Sequence, residues 1–168
     1  MKFKTTRLLV ATLSLASCAT TSSSNIARNF EGEPSVIASN RIEIGGTPFV
    51  LWGIIPPPKN WQAEEVKAAL TSMLEGKFAS CVERYERRNE IYVDCGVCSD
   101  WRPTRIGNFV VNPIRGNGMC VPLQDVMLRA GMALHDINAT ANYPSLYSRF
   151  AIAENEARVK QSGVWSSQ

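Results

Sequence analysis

Of the five cysteines in this 168-residue chain, four lie in its body, at Cys81, Cys95, Cys98 and Cys120. Cys95-Gly96-Val97-Cys98 forms a CxxC, and three chemistries compete for it. A redox CxxC opens a helix directly after a strand, where the helix start acidifies the thiol. Here Ser99-Asp100-Trp101-Arg102-Pro103 follows, a loop-like run. A zinc site needs four ligands at knuckle spacings, and the chain has one CxxC and a single distant histidine, His135. An even cysteine count in an oxidising compartment favours two structural disulfides, in any of three pairings. His135 beside Asp136 could act as a base; its place after a predicted helix favours a plainer electrostatic role. Arg84, Arg87 and Arg88 with Tyr85 could grip a phosphate or a glycan. The interleaved Glu83, Glu86 and Glu90 favour a self-neutralised turn. Among the four tryptophans, Trp52, Trp61 and Trp165 read as core and loop anchors. Trp101 sits in a long loop and is the better candidate for ligand contact.

The elements that must hold these residues read as strands first and helices last. Arg41-Ile42-Glu43-Ile44 alternates, Gly45-Gly46 makes a two-residue turn, and Phe49 to Trp52 runs back. Val36-Ile37 is a further short strand. Pro56-Pro57-Pro58 ends the extended run. Trp61 to Leu74 has helical spacing, with Val66, Leu70, Met73 and Leu74 on one face. Lys77–Cys81 and Ile91–Cys95 form a second strand pair around a charged turn from Glu83 to Glu90. The stretch from Trp101 to Met119 is long, irregular and rich in Gly and Pro, and loops of that length are usually functional or pinned. Leu123 to Leu134 and Ser145 to Gln161 are helices, the second with Ser145 as N-cap and Gly163 as stop.

The fifth cysteine stands apart. Lys2, Lys4 and Arg7 precede a short apolar stretch, Leu8 to Leu15, well under the about 20 residues that span a bilayer. This is the layout of an export signal. Leu15-Ala16-Ser17-Cys18 resembles a lipobox, which implies cleavage of a lipoprotein signal peptide at 1–17 and diacylation of Cys18. Residues 18–30, with Ser22 to Ser24, would then form a lipidated flexible tether. Ala19 stands where inner-membrane retention uses Asp, and by resemblance to sorted lipoproteins this favours the periplasmic face of the outer membrane. The leader would take three of the 18 basic residues and none of the 15 acidic ones, so the remainder balances at 15 against 15. That balance removes the global argument for phosphate-backbone binding, which usually shows as a basic surface, and makes a nucleic-acid partner the weaker expectation. The remaining length, about 150 residues, suits one domain, here 31–168.

Three stretches carry a likeness to a known family. Ile42-Glu43-Ile44-Gly45-Gly46 with Leu51-Trp52-Gly53-Ile54 is similar to a hairpin followed by an "LxGI" strand. Leu123 to Ala133 is similar to an "N-x-x-L-V-R-x-G-x-A" helix. Tyr147, Ala153-Glu154-Asn155-Glu156-Ala157-Arg158 and Ser162-Gly163-Val164-Trp165 are similar to a closing "Y…AExxAR…GxW". Together they resemble the thermonuclease-like family, the staphylococcal-nuclease fold, over roughly residues 31–166. The resemblance implies an α+β domain: a small five-stranded oligonucleotide-binding (OB) type barrel with about three helices, disulfide-stabilised. It also implies the pairing Cys81–Cys95, since exported members carry cysteines there, and leaves Cys98–Cys120 to close the long loop. Trp165 would pack the tail onto the barrel.

Active members of that family hold calcium with carboxylates, position a water with a glutamate and stabilise the phosphorane-like charge with two arginines. Carried onto this chain, the metal aspartates fall on Asn40 and Ile55, the glutamate on Pro58 and the arginines on Val50 and Glu90. Arg87 and Arg88 lie within a small shift of the last. Ile55 and Pro58 offer no side-chain oxygen, and Val50 cannot neutralise a phosphate. These positions point away from catalysis and from any metal or cofactor. The expectation is a membrane-anchored envelope lipoprotein that binds an envelope protein or polymer without catalysis. Two other readings stay open: a divergent calcium-dependent nuclease or phosphodiesterase, and a purely structural accessory subunit.

Overall fold

A computed structural model describes residues 27–98, 104–107, 109–111 and 120–166. The expected leader, Cys18, Trp101 and most of the loop from Trp101 to Met119 lie outside the described residues. In chain order the elements are β1 (Asn29–Gly32), β2 (Pro34–Ala38), β3 (Arg41–Ile44), β4 (Thr47–Leu51), β5 (Ile54–Ile55), α1 (Asn60–Leu74), β6 (Phe78–Arg87) and β7 (Glu90–Cys98). There follow β8 (Thr104–Ile106), β9 (Phe109–Val111), β10 (Val121–Pro122), α2 (Leu123–Ala130), β11 (Leu134–His135), α3 (Ile137–Thr140), α4 (Pro144–Val159) and a 3-10 turn (Gly163–Trp165).

The main sheet runs β1-β6-β7-β4-β3-β2, and β10 adds to β7. Its pairings are antiparallel except β4 with β7, which is parallel. The two ends of that path, β1 and β2, are successive pieces of chain separated only by Glu33. Among the described residues the architecture is α+β, as the resemblance implied, but with seven strands in the sheet against five and four helices against about three. The extra strands arise because the extended run 29–38 is interrupted at Glu33 and because two residues before α2 pair with β7. The extra helix is the single turn α3, capped by the Asp136 side chain, which accepts from the Ala139 N–H at 3.1 Å.

Period-two alternation decides the faces. Ile42, Ile44, Phe49, Leu51, Val93, Cys95 and Val97 point into the core, where α1 contributes Val66, Leu70, Met73 and Leu74. Gly45 and Gly46 have positive φ and close the β3–β4 turn. The stretch Glu83 to Glu90, expected as a charged turn, is instead mostly strand: β6 runs to Arg87, and only Arg88 and Asn89 turn, at φ 52° and 63°. A strand tolerates charge on its wet side, and a bulge between Glu83 and Tyr85 re-aims the side chains beyond it.

The helix predicted over 123–134 stops at Ala130, because Gly131 takes a left-handed C-cap at φ 71°. A Cβ there would lie 2.2 Å from the Ser162 carbonyl oxygen. That close approach lets Val164 N–H donate to the Gly131 carbonyl at 3.0 Å, and Val164, at 7% exposed, is what seals the tail. Trp165, given that task in the sequence reading, is half-buried under the Arg158 guanidinium. α4 begins with Pro144 in its first turn and Tyr143 at the cap position, displacing Ser145 from the expected role, since Pro suits a first helical turn that needs no N–H.

Disulfides join Cys81 to Cys95 and Cys98 to Cys120. The first links directly opposed residues of β6 and β7 within the core. Gln124, fully buried on α2, repairs a gap on the other edge of β7. β4 covers that edge at Ile91–Val93 and β10 at Gly96–Val97. Between them the Gln124 amide donates to Val93 O at 2.9 Å and accepts from Cys95 N–H at 3.2 Å.

Candidate functional site

The side of β7 opposite the core carries Glu90, Tyr92 and Asp94. Sheet register places Arg41, Val50, Tyr92 and Tyr85 in one row across β3, β4, β7 and β6. Tyr85 and Tyr92 stack, centroids 4.5 Å apart and planes 20° apart. Glu90 closes the other end of the row: Arg41 donates to one of its oxygens and the Tyr92 hydroxyl to the other, at 3.0 Å. The Arg41 hydrogen bond, and then that of Tyr92, holds the Glu90 carboxyl below its usual range. Burial, and then the bond to Glu90, pushes the Tyr92 hydroxyl up. Burial, and then the Asp136 charge, does the same for Tyr85. Both phenols therefore keep their protons at neutral pH.

A second row lies beside the first. Arg84 donates to Asp94 at 2.6 Å and rests over the Trp52 ring at 5.3 Å. Tyr143 meets the edge of the same indole at 5.2 Å, so Trp52 is almost wholly covered. Gly53 fixes this corner. Its φ is +79°, a Cβ would lie 2.6 Å from the Phe150 ring, and its carbonyl accepts from Asp136 N–H at 3.0 Å. That bond brings α3 and Tyr143 over the sheet.

The positions the resemblance marks for catalysis are now locatable. Val50 is buried in the first row and Glu90 is ion-paired at its end. Asn40 accepts from Leu51 N–H through its backbone at 2.9 Å. Ile55 is 43% exposed on β5, paired with Leu134, and Pro58 is exposed ahead of α1. Among the described residues no group of three or more His, Cys, Asp or Glu side chains is gathered as a metal would require.

The three arginines marked as binding candidates part company. Arg84 is occupied by Asp94, whereas Arg87 and Arg88 sit exposed at the hairpin tip and form no ion pair with a described residue. The expected self-neutralisation within 83–90 does not occur. Glu83 and Glu86 are taken by Arg28 on the neighbouring edge, and Glu90 by Arg41. His135 is not at a helix end: it lies on β11, buried, its Nε2 2.6 Å from the Thr140 hydroxyl. Burial lowers its pKa, against the pull of Glu154 and Asp136. Asp136 spends its side chain on the α3 cap and so does not orient the imidazole.

Sequence reasoning missed Arg41, Tyr92, Asp94 and Tyr143 as members of this face. The period of two from Glu90 to Cys95, polar against apolar, was the available signal for three of the four. It gives the outward residues of β7, and the same alternation over Arg41–Ile44 gives Arg41 on β3, two strands away across β4. Tyr143 had none, since only the fold carries it there.

The fold and this face together define a disulfide-linked α+β domain with an aromatic, internally ion-paired sheet surface. No helix among its described residues is long and apolar enough to cross a membrane. No family model matches the chain, and no curated protein matches it.

Proposed function

We propose that this chain is a lipid-anchored envelope protein whose thermonuclease-like domain has given up catalysis and serves as a binding or accessory module. The connectivity supports the OB-type barrel. If β1 and β2 are one bent strand, the path β1-β6-β7-β4-β3-β2 returns to its start, giving five strands with β4 and β7 parallel. Phe30 on β1 touches Phe49 on β4 with ring centroids 4.5 Å apart, although β6 and β7 lie between them along the path. Gly32, at the bend, comes so near Ile44 that a Cβ would lie 2.9 Å from it.

The observation that carries the non-catalytic reading is the Arg41–Glu90–Tyr92 group beside buried Val50. Where the resemblance expects two arginines facing a phosphate, one position is apolar and the other is a carboxylate already neutralised from within. An incoming phosphate would find Arg41 already paired with Glu90, with only the solvent-exposed Arg88 at the hairpin tip to offset the carboxylate. Each missing charge-stabilising group is worth about 10²–10³ in rate, so their joint loss leaves no useful hydrolysis. A lipid on Cys18 and export through residues 1–17 supply the oxidising compartment that the two disulfides need.

One preparation tests both halves. The wild-type chain and Cys18→Ala are expressed in a bacterial host, fractionated, and assayed on single-stranded DNA with calcium and with chelator. The reading expects wild type in the membrane fraction as a cleaved form carrying lipid by mass spectrometry, Cys18→Ala as an uncleaved precursor without lipid, and no calcium-dependent DNA cleavage by either. Calcium-supported cleavage that chelator abolishes would make the chain a divergent nuclease. A wild-type protein that carries no lipid mass would remove the anchor.

A further inference from the structure

All four tyrosines of the chain gather on one side of the molecule. Tyr85 stacks on Tyr92; Tyr143 and Tyr85 influence one another electrostatically; Tyr147 follows one turn along α4. Three of them, Tyr85, Tyr143 and Tyr147, are 38–43% exposed. Packing does not require this, because a tyrosine placed only for stability buries its ring and leaves its hydroxyl at the surface. Rigid, half-exposed aromatic rings held by stacking and by a buried indole are what a recognition surface uses, since little side-chain freedom is lost on contact.

The polar groups beside the rings choose the ligand. Arg41–Glu90 and Arg84–Asp94 each set a planar donor against a planar acceptor with no net charge. A phosphate or carboxylate polymer arriving there finds both arginines paired and must face Glu90 and Asp94, while the exposed Arg87 and Arg88, which act on Tyr85 and Glu90 only through space, stand at the hairpin tip. A neutral sugar gains from both partners, because adjacent hydroxyls can donate to the carboxylate and accept from the guanidinium. The C–H face of a pyranose ring meanwhile lies flat on an aromatic ring. We propose that this face, from Tyr85 across to Tyr143 and Tyr147, docks a neutral polysaccharide strand. The inference rests on the non-catalytic reading and deepens it by naming the polymer class.

The test is calorimetric titration of the purified full chain with chitotetraose and with cellotetraose, at low and at high salt. Binding of at least one, with an affinity that salt leaves unchanged, is expected. Tyr85→Ala and Tyr143→Ala should each weaken it about three- to tenfold, the range of one aromatic contact. Val159→Ser, at an exposed position at the far end of α4, should bind like wild type. Near-ultraviolet circular dichroism confirms that each variant is folded. The proposal is overturned if neither oligosaccharide binds or if both tyrosine variants bind as wild type does. It is equally overturned if only an acidic polymer, heparin, binds, with steep salt dependence and loss on Arg87→Ala, since the partner is then an anion held at the hairpin tip. Calcium-dependent DNA cleavage by the same preparation would sink the non-catalytic reading itself. Failure to bind sugar without cleavage sinks only the polysaccharide.

Discussion

The two sides of β7 obey different rules. Inward, Ile91, Val93, Cys95 and Val97 meet α1, α2 and the opposing strands, and the one polar intruder, Gln124, is satisfied at both ends of its amide. Outward, Glu90, Tyr92 and Asp94 form ion pairs and stacks that remain partly in water. The inner side is what a chain must do to fold. The outer side is organised beyond that need, and its order calls for another explanation. Surface ion pairs contribute little to stability, typically about 0–1 kcal/mol, so stability alone does not account for two of them flanking stacked tyrosines.

The largest test of that contrast is Gln124→Ala against Tyr85→Ala. The first strands the buried Cys95 N–H, takes from the Val93 carbonyl one of its two donors (Trp52 N–H remains, at 2.8 Å), and opens a cavity at the seam of β4, β7 and β10. It should cost about 2–4 kcal/mol, read as a lower urea midpoint with unchanged slope. The second should cost about 1 kcal/mol or less while weakening the proposed sugar binding about three- to tenfold. Equal losses would erase the distinction between a folding side and a recognition side.

The disulfides divide along the same line. Cys81 and Cys95 are at most 1% exposed on the inner side, whereas Cys98 points outward and Cys120 is exposed. Thiol exchange needs access to a sulfur, so native protein given dithiothreitol and then iodoacetamide should be alkylated first at Cys98 and Cys120. Mass spectrometry should find the inner bridge intact until urea unfolds the chain. Replacing the inner pair with alanines should lower stability by about 2–4 kcal/mol. Simultaneous alkylation of all four would show that the core opens as readily as the loop.

Legibility in the sequence followed this division too. The β3–β4 hairpin and the buried stripe of α1 could be read directly, because apolar side chains at period two or 3.6 leave one solution. The charged ribbon from Glu83 to Glu90 was misread, since interleaved charges look like a turn when their partners, Arg28 and Arg41, lie about 50 residues away in sequence. Gln124, which drew no reading of its own, and His135 were illegible for another reason. Each is a polar side chain whose meaning depends on a partner supplied by tertiary contact: the bare edge of β7 for one, Thr140 for the other. The positions that the resemblance marks for catalysis were locatable in sequence through Leu51-Trp52-Gly53-Ile54, but the Arg41–Glu90–Tyr92 closure needed the sheet register.

His135 gives the smallest and sharpest test of what is buried. It is the chain's only histidine and is 6% exposed. Burial holds its pKa below the ordinary 6.5, more strongly than Glu154 and Asp136 raise it. In the unfolded chain the imidazole gains its proton as pH falls through 6.5; in the native protein it does so only at lower pH. In the window between, the unfolded state binds more protons, so stability is fully present above the unfolded value and declines as pH drops below it. Asp125, raised by burial despite Arg149 and Arg129, has the opposite sign and cannot produce this decline. Urea midpoints compared at about pH 7.5 and about pH 5.5 should therefore fall for wild type, and by less for His135→Gln, which can still bond Thr140 without titrating. Identical slopes in the two proteins would mean that folding leaves the imidazole's pKa unshifted, and a smaller fall for wild type than for His135→Gln would mean that the imidazole is charged in the fold. Glu154, whose carboxylate already accepts from the His135 backbone N–H at 3.0 Å, would then be the group stabilising it.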